Sequence, residues 1–332
     1  MDQRNEKLHI AMFPWLAYGH IMPFLHVSKF LAQKGHRISY ISTPKNISRL
    51  PKLPPHLSSK ISFIELPFPQ NIDGLPPGAE STGDIPVHKV PYLKKAYDTL
   101  QVPLTEFLKT SDVNWIIHDF APYWLPEIAP PLRINLVLFS IFNATSFAFL
   151  GPPSALLGNL RTRPEDFTKV PDWIDYPCNN IAYKLYEMVT HYECMDEDVS
   201  DFQRIGMVIQ GCQFAILRSS FEFEPDEIRL LRKLYQKPVV PIGSDQGLNA
   251  RLLHGKKVGL EIERNEVDGS FTSDLVAQTI RKVMVDPEGE PLRANAWAMR
   301  EIFGNEEMSN NSLEEFTRFI EEFGSPSGAG QV

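Results

Sequence analysis

The stretch that decides the fold is residues 8–42, LHIAMFPWLAYGHIMPFLHVSKFLAQKGHRISYIS. It begins with Leu8 to Phe13, a short apolar run that is typical of a buried strand. His20 to Lys34 follows with apolar residues at helical spacing, and Gly35 ends the predicted helix. Arg37 to Ser42 is a second short apolar run. We therefore predict a strand–helix–strand unit whose two strands lie parallel in one sheet.

Short apolar runs and amphipathic runs keep alternating as far as Gly243. Further strands are predicted at Ile61 to Leu66, Trp115 to His118, Leu136 to Phe139, Phe214 to Leu217 and Pro238 to Ile242. Because repeated strand–helix–strand units cover both faces of a parallel sheet with helices, the fold class is α/β, a doubly wound, Rossmann-like domain. The long loop Pro67 to Pro91 interrupts the alternation, and loops of this length are usually functional.

The pattern changes after Gly243. Helices are predicted at Gly247 to His254, Ser273 to Val285, Pro291 to Phe303 and Ser312 to Phe323, and one further strand at Val258 to Ile262. A single strand cannot form a second sheet of this kind. We therefore predict a domain with its linker over residues 1–243, a truncated and mostly helical second domain over 244–323, and a flexible tail over 324–332.

Composition excludes some partners and favours a cytoplasmic protein. The net charge of −8 argues against a nucleic-acid partner, which would require a basic face. We find no signal peptide, and the most apolar stretch, Leu136 to Leu150, is too short and too polar to span a membrane. The three cysteines, Cys178, Cys194 and Cys212, have no metal-ligand spacing and cannot all pair, which fits a reducing cytosol. We expect no metal site and no membrane insertion.

Two residues are candidates for chemistry because each follows a predicted strand at its carboxyl end, where open α/β sheets bind ligands. His20 begins the first helix, whose positive end disfavours the imidazolium and favours a neutral general base. Asp119 follows the strand that ends at His118 and is placed to fix one ring nitrogen of His20. Each residue also has a plainer interpretation, His20 as a helix residue without chemistry and Asp119 as a helix N-cap. We expect His118 to be structural.

Sequence motifs of several other enzyme classes are absent. No strand is followed by Gly-x-Gly-x-x-Gly, which makes a Rossmann oxidoreductase the weakest hypothesis. The chain also lacks a Walker-type Gly-Lys-Ser/Thr, a Gly-x-Ser-x-Gly elbow and His-Glu-x-x-His.

Several short segments together resemble one enzyme family. The segment Gly19-His20-Ile21-Met22-Pro23 resembles the His-x-x-Pro start of plant family-1 UDP-glycosyltransferases, which have the GT-B fold. The resemblance also includes Gly74-Leu75-Pro76, Ala79-Glu80-Ser81-Thr82, Ile117-His118-Asp119, Arg218-Ser219-Ser220-Phe221-Glu222, Pro238-Val239-Val240-Pro241-Ile242-Gly243, Asp245-Gln246-Gly247-Leu248-Asn249-Ala250 and Asp268-Gly269-Ser270-Phe271-Thr272. In finer detail the chain is similar to the branch-forming members, which add a sugar to a flavonoid or terpenoid glycoside.

The resemblance implies roles for particular residues. His20 would deprotonate the acceptor hydroxyl, with Asp119 as its partner, and the oxygen would attack the anomeric carbon of a UDP-sugar in one inverting displacement. Asp245 and Gln246 would bind hydroxyls of the donor sugar. The resemblance implies a UDP-sugar as co-substrate, a small-molecule acceptor, and no other cofactor or metal.

The chain departs from this family in its donor-binding segment. Relatives carry a Trp for uracil, a His-x-Gly-Trp-Asn-Ser segment for the pyrophosphate and a Glu for the ribose, before an Asp/Glu-Gln pair. This chain has no Trp between Trp173 and Trp297, and Asp245 follows Gly243 almost at once. Two hypotheses therefore stay open. The chain is an active transferase, or it is an inactive acceptor-binding relative or the product of truncation by splicing or a faulty gene model.

Overall fold

The structure, a computed structural model, describes residues 7–158, 160–177, 181–193, 199–243, 250–265, 269–303 and 306–323. Its strands are β1 His9–Phe13, β2 Arg37–Ser42, β3 Ile61–Glu65, β4 Trp115–His118, β5 Asn135–Ser140, β6 Phe214–Leu217 and β7 Val239–Pro241. Its α-helices are α1 Tyr18–Gln33, α2 Pro44–Ser48, α3 Val90–Asp98, α4 Gln101–Thr110, α5 Leu125–Ile128, α6 Ala144–Leu150, α7 Pro153–Leu157, α8 Leu185–Glu193, α9 Asp201–Gly211, α10 Pro225–Tyr235, α11 Ala250–Gly255, α12 Ser273–Met284, α13 Glu290–Phe303 and α14 Glu306–Phe323.

The strands form one parallel sheet in the order β3-β2-β1-β4-β5-β6-β7. The chain builds outward from β1 in one direction through β3, and then returns to place β4 on the other side of β1. This reversal is the topological switch point, and it leaves a crevice outside the carboxyl ends of β1 and β4. Phe13 and His118, the last residues of these two strands, lie opposite each other in the register. The predicted doubly wound α/β fold is confirmed.

Two apolar layers hold the helices on the sheet. Alternate residues of β1 belong to opposite layers, with Ala11 and Phe13 in one and Ile10 and Met12 in the other. All five β1 residues are buried, which is the pattern of a strand covered on both faces. The predicted runs are predominantly apolar for this reason.

The last helix, α14, packs against the sheet formed by the N-terminal part of the chain. Leu313, Phe316 and Ile320 recur at helical spacing and are buried in the same layer as Met12. The Phe319 ring lies 4.6 Å from the Phe214 ring of β6. Helix α14 therefore contributes to the core of the N-terminal sheet.

The predicted strand at Val258 to Ile262 is wrong. Residues 258–262 follow the turn after α11 without a strand, and they are half-buried without alternation. A parallel strand needs a neighbour to pair its backbone N–H and C=O groups. In the described part of the chain the sheet ends at β7, and the segment lacks such a neighbour.

Candidate active site

His20 lies on the first turn of α1, directly above the carboxyl end of β1. Ala17 is the N-cap in an extended conformation, and its carbonyl accepts a hydrogen bond from the His20 N–H at 2.8 Å. The His20 side chain points towards the β4 side of the crevice, where its Nδ1 lies 2.7 Å from Oδ2 of Asp119. Only 8% of the residue is exposed. The contact expected between these two side chains is therefore present.

Asp119 receives three hydrogen bonds in a buried position. Its Oδ2 accepts the Trp15 backbone N–H at 3.1 Å as well as the His20 ring, and its Oδ1 accepts the Phe120 N–H at 2.8 Å. Because both oxygens of Asp119 accept a backbone N–H, neither is required as a donor, and the ring hydrogen of His20 is assigned to Nδ1. The Nε2 lone pair of His20 is then available to take a proton.

The plainer interpretation of Asp119 as a helix N-cap does not fit the structure. The next helix, α5, begins only at Leu125, and its N-cap is Trp124. Asp119 instead joins the β1–α1 turn to the end of β4, since its partners come from both. The residue is therefore placed where it can orient His20.

His118 is the last residue of β4 and is fully buried. Burial lowers the pKa of its imidazole to about 4, so the ring is neutral at pH 7. Its Nδ1 lies 2.8 Å from the Asp119 carbonyl oxygen, and its Nε2 has no hydrogen-bond partner within the described residues. This placement agrees with the structural role expected for it.

Two aromatic rings frame the His20 imidazole, and no motif in the sequence predicts either of them. The Phe142 ring stands edge-on to it with centroids 5.8 Å apart, and the Phe120 ring lies 6.0 Å away. Phe142 is 46% exposed, so it presents apolar surface at the mouth of the crevice. Phe120 follows β4 and Phe142 follows β5, so the rule that ligands bind at carboxyl ends of strands could have found them.

A buried glutamate fixes the loop that carries Phe142. Glu224 is fully buried, and its carboxylate accepts hydrogen bonds from the Ala144 N–H, the Thr145 N–H, the Thr145 hydroxyl and the Ser219 hydroxyl. The backbone donors belong to the first turn of α6, so the carboxylate also stabilises that helix terminus. The Arg218-to-Glu222 motif thus contributes Ser219 to this network, while Glu222 itself is exposed.

Asp245 and Gln246, the predicted donor-sugar ligands, lie outside the described residues. Among the residues that are described, no group of three or more His, Cys, Asp or Glu side chains is arranged to hold a metal ion. No helix in that part of the chain has the length and apolar character needed to cross a membrane.

Comparisons with known proteins give the family. No protein-family model matches the chain. UDP-glycosyltransferase 91C1 of Arabidopsis thaliana is 36% identical, and the alignment covers 99% of this chain and 100% of that protein. The alignment has 461 positions; since 99% of 332 residues is about 329, roughly 130 positions have no counterpart here.

Solved structures show the same fold at lower identity. UGT2 of Phytolacca americana, complexed with UDP-2fluoro-glucose and pterostilbene, aligns with a TM-score of 0.62 at 15% identity, over 95% of this chain and 99% of that chain. UGT89C1 of Arabidopsis thaliana, complexed with UDP-L-rhamnose, aligns with a TM-score of 0.51 at 18% identity. That alignment covers 74% of this chain and spans about half, 51%, of the other. With the 36% identical relative aligned along its whole length, these findings show that the chain belongs to the plant UDP-glycosyltransferases.

Proposed function

We propose that this chain carries the acceptor-binding half and the catalytic base of an inverting transferase. Such an enzyme moves a sugar from a UDP-sugar to a hydroxyl of a small molecule. The observation that carries the proposal is the 2.7 Å hydrogen bond between His20 Nδ1 and the buried Asp119 carboxylate at the switch point of the sheet. A buried carboxylate that holds one ring nitrogen leaves the other as the base.

The proposed reaction is a single displacement. The acceptor hydroxyl gives its proton to His20 Nε2 while its oxygen forms a bond to the anomeric carbon of the sugar. The bond from that carbon to the UDP oxygen breaks, and UDP leaves with the electron pair. The configuration at the anomeric carbon is inverted because attack and departure occur on opposite faces. Asp119 stabilises the imidazolium that forms, and the UDP-sugar is the co-substrate.

The acceptor is proposed to enter the crevice beside the base. Phe120 and Phe142 present apolar rings on two sides of the imidazole, which suits a planar or polycyclic aglycone. On the resemblance to branch-forming members, we propose a flavonoid or terpenoid glycoside as the acceptor.

The donor half is proposed to be incomplete in this form. We divide the chain into an acceptor-binding domain with its linker at residues 1–243, a remnant of the donor-binding domain at 244–323 and a tail at 324–332. Two observations support an interrupted second domain. Roughly 130 aligned positions of the Arabidopsis relative have no counterpart here. Helix α12 is amphipathic yet buries none of its residues, with Ile280 and Met284 more than half exposed.

An incomplete donor site impairs transfer even when the base is in place. Stabilising the charge that develops on UDP is usually the largest catalytic term. Each hydrogen-bond donor lost from the pyrophosphate site lowers the rate by about 10²–10³. Asp245 and Gln246 are proposed to contact sugar hydroxyls, but the segments that anchor uracil, ribose and pyrophosphate in relatives have no recognisable match in this chain.

The incomplete donor half also supports a second candidate function. On this alternative the chain is a catalytically inactive relative that binds acceptors, or a truncated splice or gene-model product. Sequencing the transcript across the codons for residues 243–245 distinguishes a real transcript from an artefact. In either case we propose a cytoplasmic protein whose ligands are small molecules, consistent with the buried free thiol of Cys212.

The experiment is to restore the donor segment and measure transfer. The stretch of the 36% identical Arabidopsis relative that has no counterpart here is inserted after Gly243, and UDP release is followed with UDP-glucose and quercetin 3-O-glucoside. We expect transfer that falls roughly 10²–10⁴-fold in His20→Ala, the usual contribution of a general base. His26→Ala, an exposed histidine on the same helix, serves as the matched control and should retain the rate. Equal rates for both variants would contradict the assignment of the base.

A further inference from the structure

A buried ion pair joins helices α3 and α9 beside the segment that carries Asp119. The Arg204 guanidinium is part of a residue that is only 2% exposed, and it forms a bidentate pair with the Asp98 carboxylate at 2.7 and 2.6 Å. Its Nη1 also donates to the Ala121 carbonyl at 2.9 Å. Ala121 lies two residues after Asp119, in the loop between β4 and α5. One guanidinium therefore connects a pair of helices to this loop.

The loop depends on individual contacts for its position. Residues 119–124 form neither helix nor strand, so no regular ladder of hydrogen bonds fixes them. The Ala121 carbonyl accepts the Tyr123 N–H at 2.9 Å in addition to the Arg204 side chain. The Arg204 guanidinium also lies over the Tyr123 ring, 4.8 Å from its centroid. Arg204 thus holds the loop through a backbone carbonyl and through an aromatic side chain.

Helix α9, which carries Arg204, is itself fixed at both ends. At its start, the Ser200 hydroxyl accepts the Gln203 N–H at 3.2 Å, and the Gln203 side chain accepts the Ser200 N–H at 2.9 Å. At its end, a Cβ added to Gly211 would collide with Pro126 of α5, so the two helices touch closely there. The guanidinium therefore projects from a firmly placed helix.

Helix stability does not explain why an arginine occupies this position. Arg204 lies near the start of α9, where the positive end of the helix dipole disfavours a cation. Burying an ion pair costs desolvation energy, and apolar side chains in its place are often equally stable. A guanidinium can, however, hold a carboxylate with two parallel hydrogen bonds and still donate to a carbonyl. Fixing such a geometry is a role that apolar side chains cannot fill.

The loop transmits its position to the Asp119 carboxylate. The Phe120 N–H, which precedes Ala121, donates to Asp119 Oδ1 at 2.8 Å, and Asp119 Oδ2 holds the His20 ring at 2.7 Å. A displacement of the Ala121 carbonyl therefore moves the Phe120 N–H and loosens the carboxylate that orients the ring.

We propose that Arg204 is a positioning residue for the base of the proposed reaction. Held by Asp98, it fixes the Ala121 carbonyl and thereby keeps Asp119 in place against His20. The assignment rests on the proposed function, because it concerns the same pair of side chains. Arg204 itself touches no reacting atom in this account.

The test compares two variants that each remove one buried ion pair between the same two helices. Arg204→Met removes the hydrogen bonds to Asp98 and Ala121. Lys94→Met is the matched control, because the buried Lys94 of α3 pairs with Asp201 of α9 at 2.7 Å. This control leaves the hydrogen bond from Arg204 to Ala121 in place.

The first measurement is native-state hydrogen exchange at the Trp15 and Phe120 amides, which both donate to the Asp119 carboxylate. Exchange at both amides should become about tenfold faster in Arg204→Met, because the loop loses a hydrogen bond to a charged group and opens locally. In Lys94→Met it should change less than about twofold. Urea unfolding of the same two variants checks that they lose similar global stability.

The second measurement follows the proton on His20 Nδ1 by NMR, where its resonance is identified by its absence in His20→Ala. Arg204→Met should broaden or remove this resonance, because a looser hydrogen bond to Asp119 lets the proton exchange with water. Lys94→Met should retain it. Asp98→Asn changes a carboxylate that is 24% exposed, so it guards against misfolding of Arg204→Met, and it should accelerate amide exchange about threefold.

Two results would overturn the positioning role. One is equal exchange at the Trp15 and Phe120 amides in Arg204→Met and Lys94→Met, and the other is an unchanged His20 Nδ1 resonance in Arg204→Met. Neither measurement requires turnover. They can therefore fail while the enzyme with the restored donor segment transfers sugar, or succeed while it does not, and the two proposals are tested separately. Where that enzyme is active, Arg204→Met should lower kcat about tenfold relative to Lys94→Met, and equal kcat values would also contradict the role.

Discussion

Replacing Asp119 with alanine is expected to destabilise the N-terminal sheet, because this carboxylate joins two separate parts of the chain. It accepts hydrogen bonds from the Trp15 N–H, the His20 ring and the Phe120 N–H. Only 2% of Asp119 is exposed, so water does not replace the lost acceptor easily. The variant therefore leaves donors without partners at the switch point of the sheet.

The magnitude follows from these contacts. Hydrogen bonds to a charged group contribute about 1.5–3 kcal/mol each, but removing the carboxylate also removes the cost of burying it. His20, with 8% exposure, can recover part of its loss through water. We therefore expect the free energy of unfolding to fall by about 2–4 kcal/mol.

The assay is urea unfolding followed by tryptophan fluorescence, since Trp15, Trp115 and Trp124 are buried around this sheet. Asp112→Ala is the matched control. Asp112 also lies 2.7 Å from a histidine, His9, but its side chain is 71% exposed, and exposed ion pairs contribute about 0–1 kcal/mol. If Asp119→Ala lowered the free energy of unfolding no more than Asp112→Ala does, the argument that burial makes these hydrogen bonds strong would be refuted.

Three further predictions concern stability and dynamics. Phe316→Ala should lower the free energy of unfolding by about 3–5 kcal/mol in urea titrations, because the ring is fully buried against the sheet, whereas Trp297→Ala, at 70% exposure, should change it by less than about 0.5 kcal/mol. Native-state hydrogen exchange should be faster at Val258 to Ile262, which lacks a strand ladder, than at His9 to Phe13, and equal protection would disprove this. Burial lowers the pKa of His118 to about 4, so the unfolded chain takes up a proton between pH 6.5 and 4 that the folded chain does not. The free energy of unfolding should therefore fall by about 3 kcal/mol as the pH is lowered over that range. His118→Asn, which keeps a donor for the Asp119 carbonyl, should make stability depend less on pH. The same pH dependence in the variant would contradict the assignment of this effect to His118.

The sequence was sufficient for the sheet because its strands are buried on both faces and therefore appear as continuous apolar runs. Trp115 to His118 and Phe214 to Leu217 match the observed bounds for this reason. The pairing of His20 with Asp119 could also be predicted, since both follow neighbouring strands at the same edge. The strand predicted at Val258 to Ile262 was wrong because a short apolar run forms a strand only if a neighbouring strand exists to pair with it.

The remaining features depend on contacts that local patterns do not encode. Glu224 caps the turn that carries Phe142 through Thr145, which lies 79 residues earlier in the chain. The ion pair of Arg49 with Asp84 joins residues that are 35 positions apart and carry no periodicity. Such pairings follow from the assembled topology. The carboxyl-edge rule indicates where to search for them, but not which side chains meet.

We propose that this chain has the base of a glycosyltransferase without the anchors for its donor. The decisive measurement is calorimetric titration of the unaltered chain with UDP and with a panel of UDP-sugars. We predict no detectable UDP binding, since the few hydrogen bonds that Asp245 and Gln246 can supply contribute only about 0.5–1.5 kcal/mol each. Micromolar binding of UDP, together with sugar transfer that His20→Ala abolishes, would contradict the claim and show that the chain is a working enzyme as it stands.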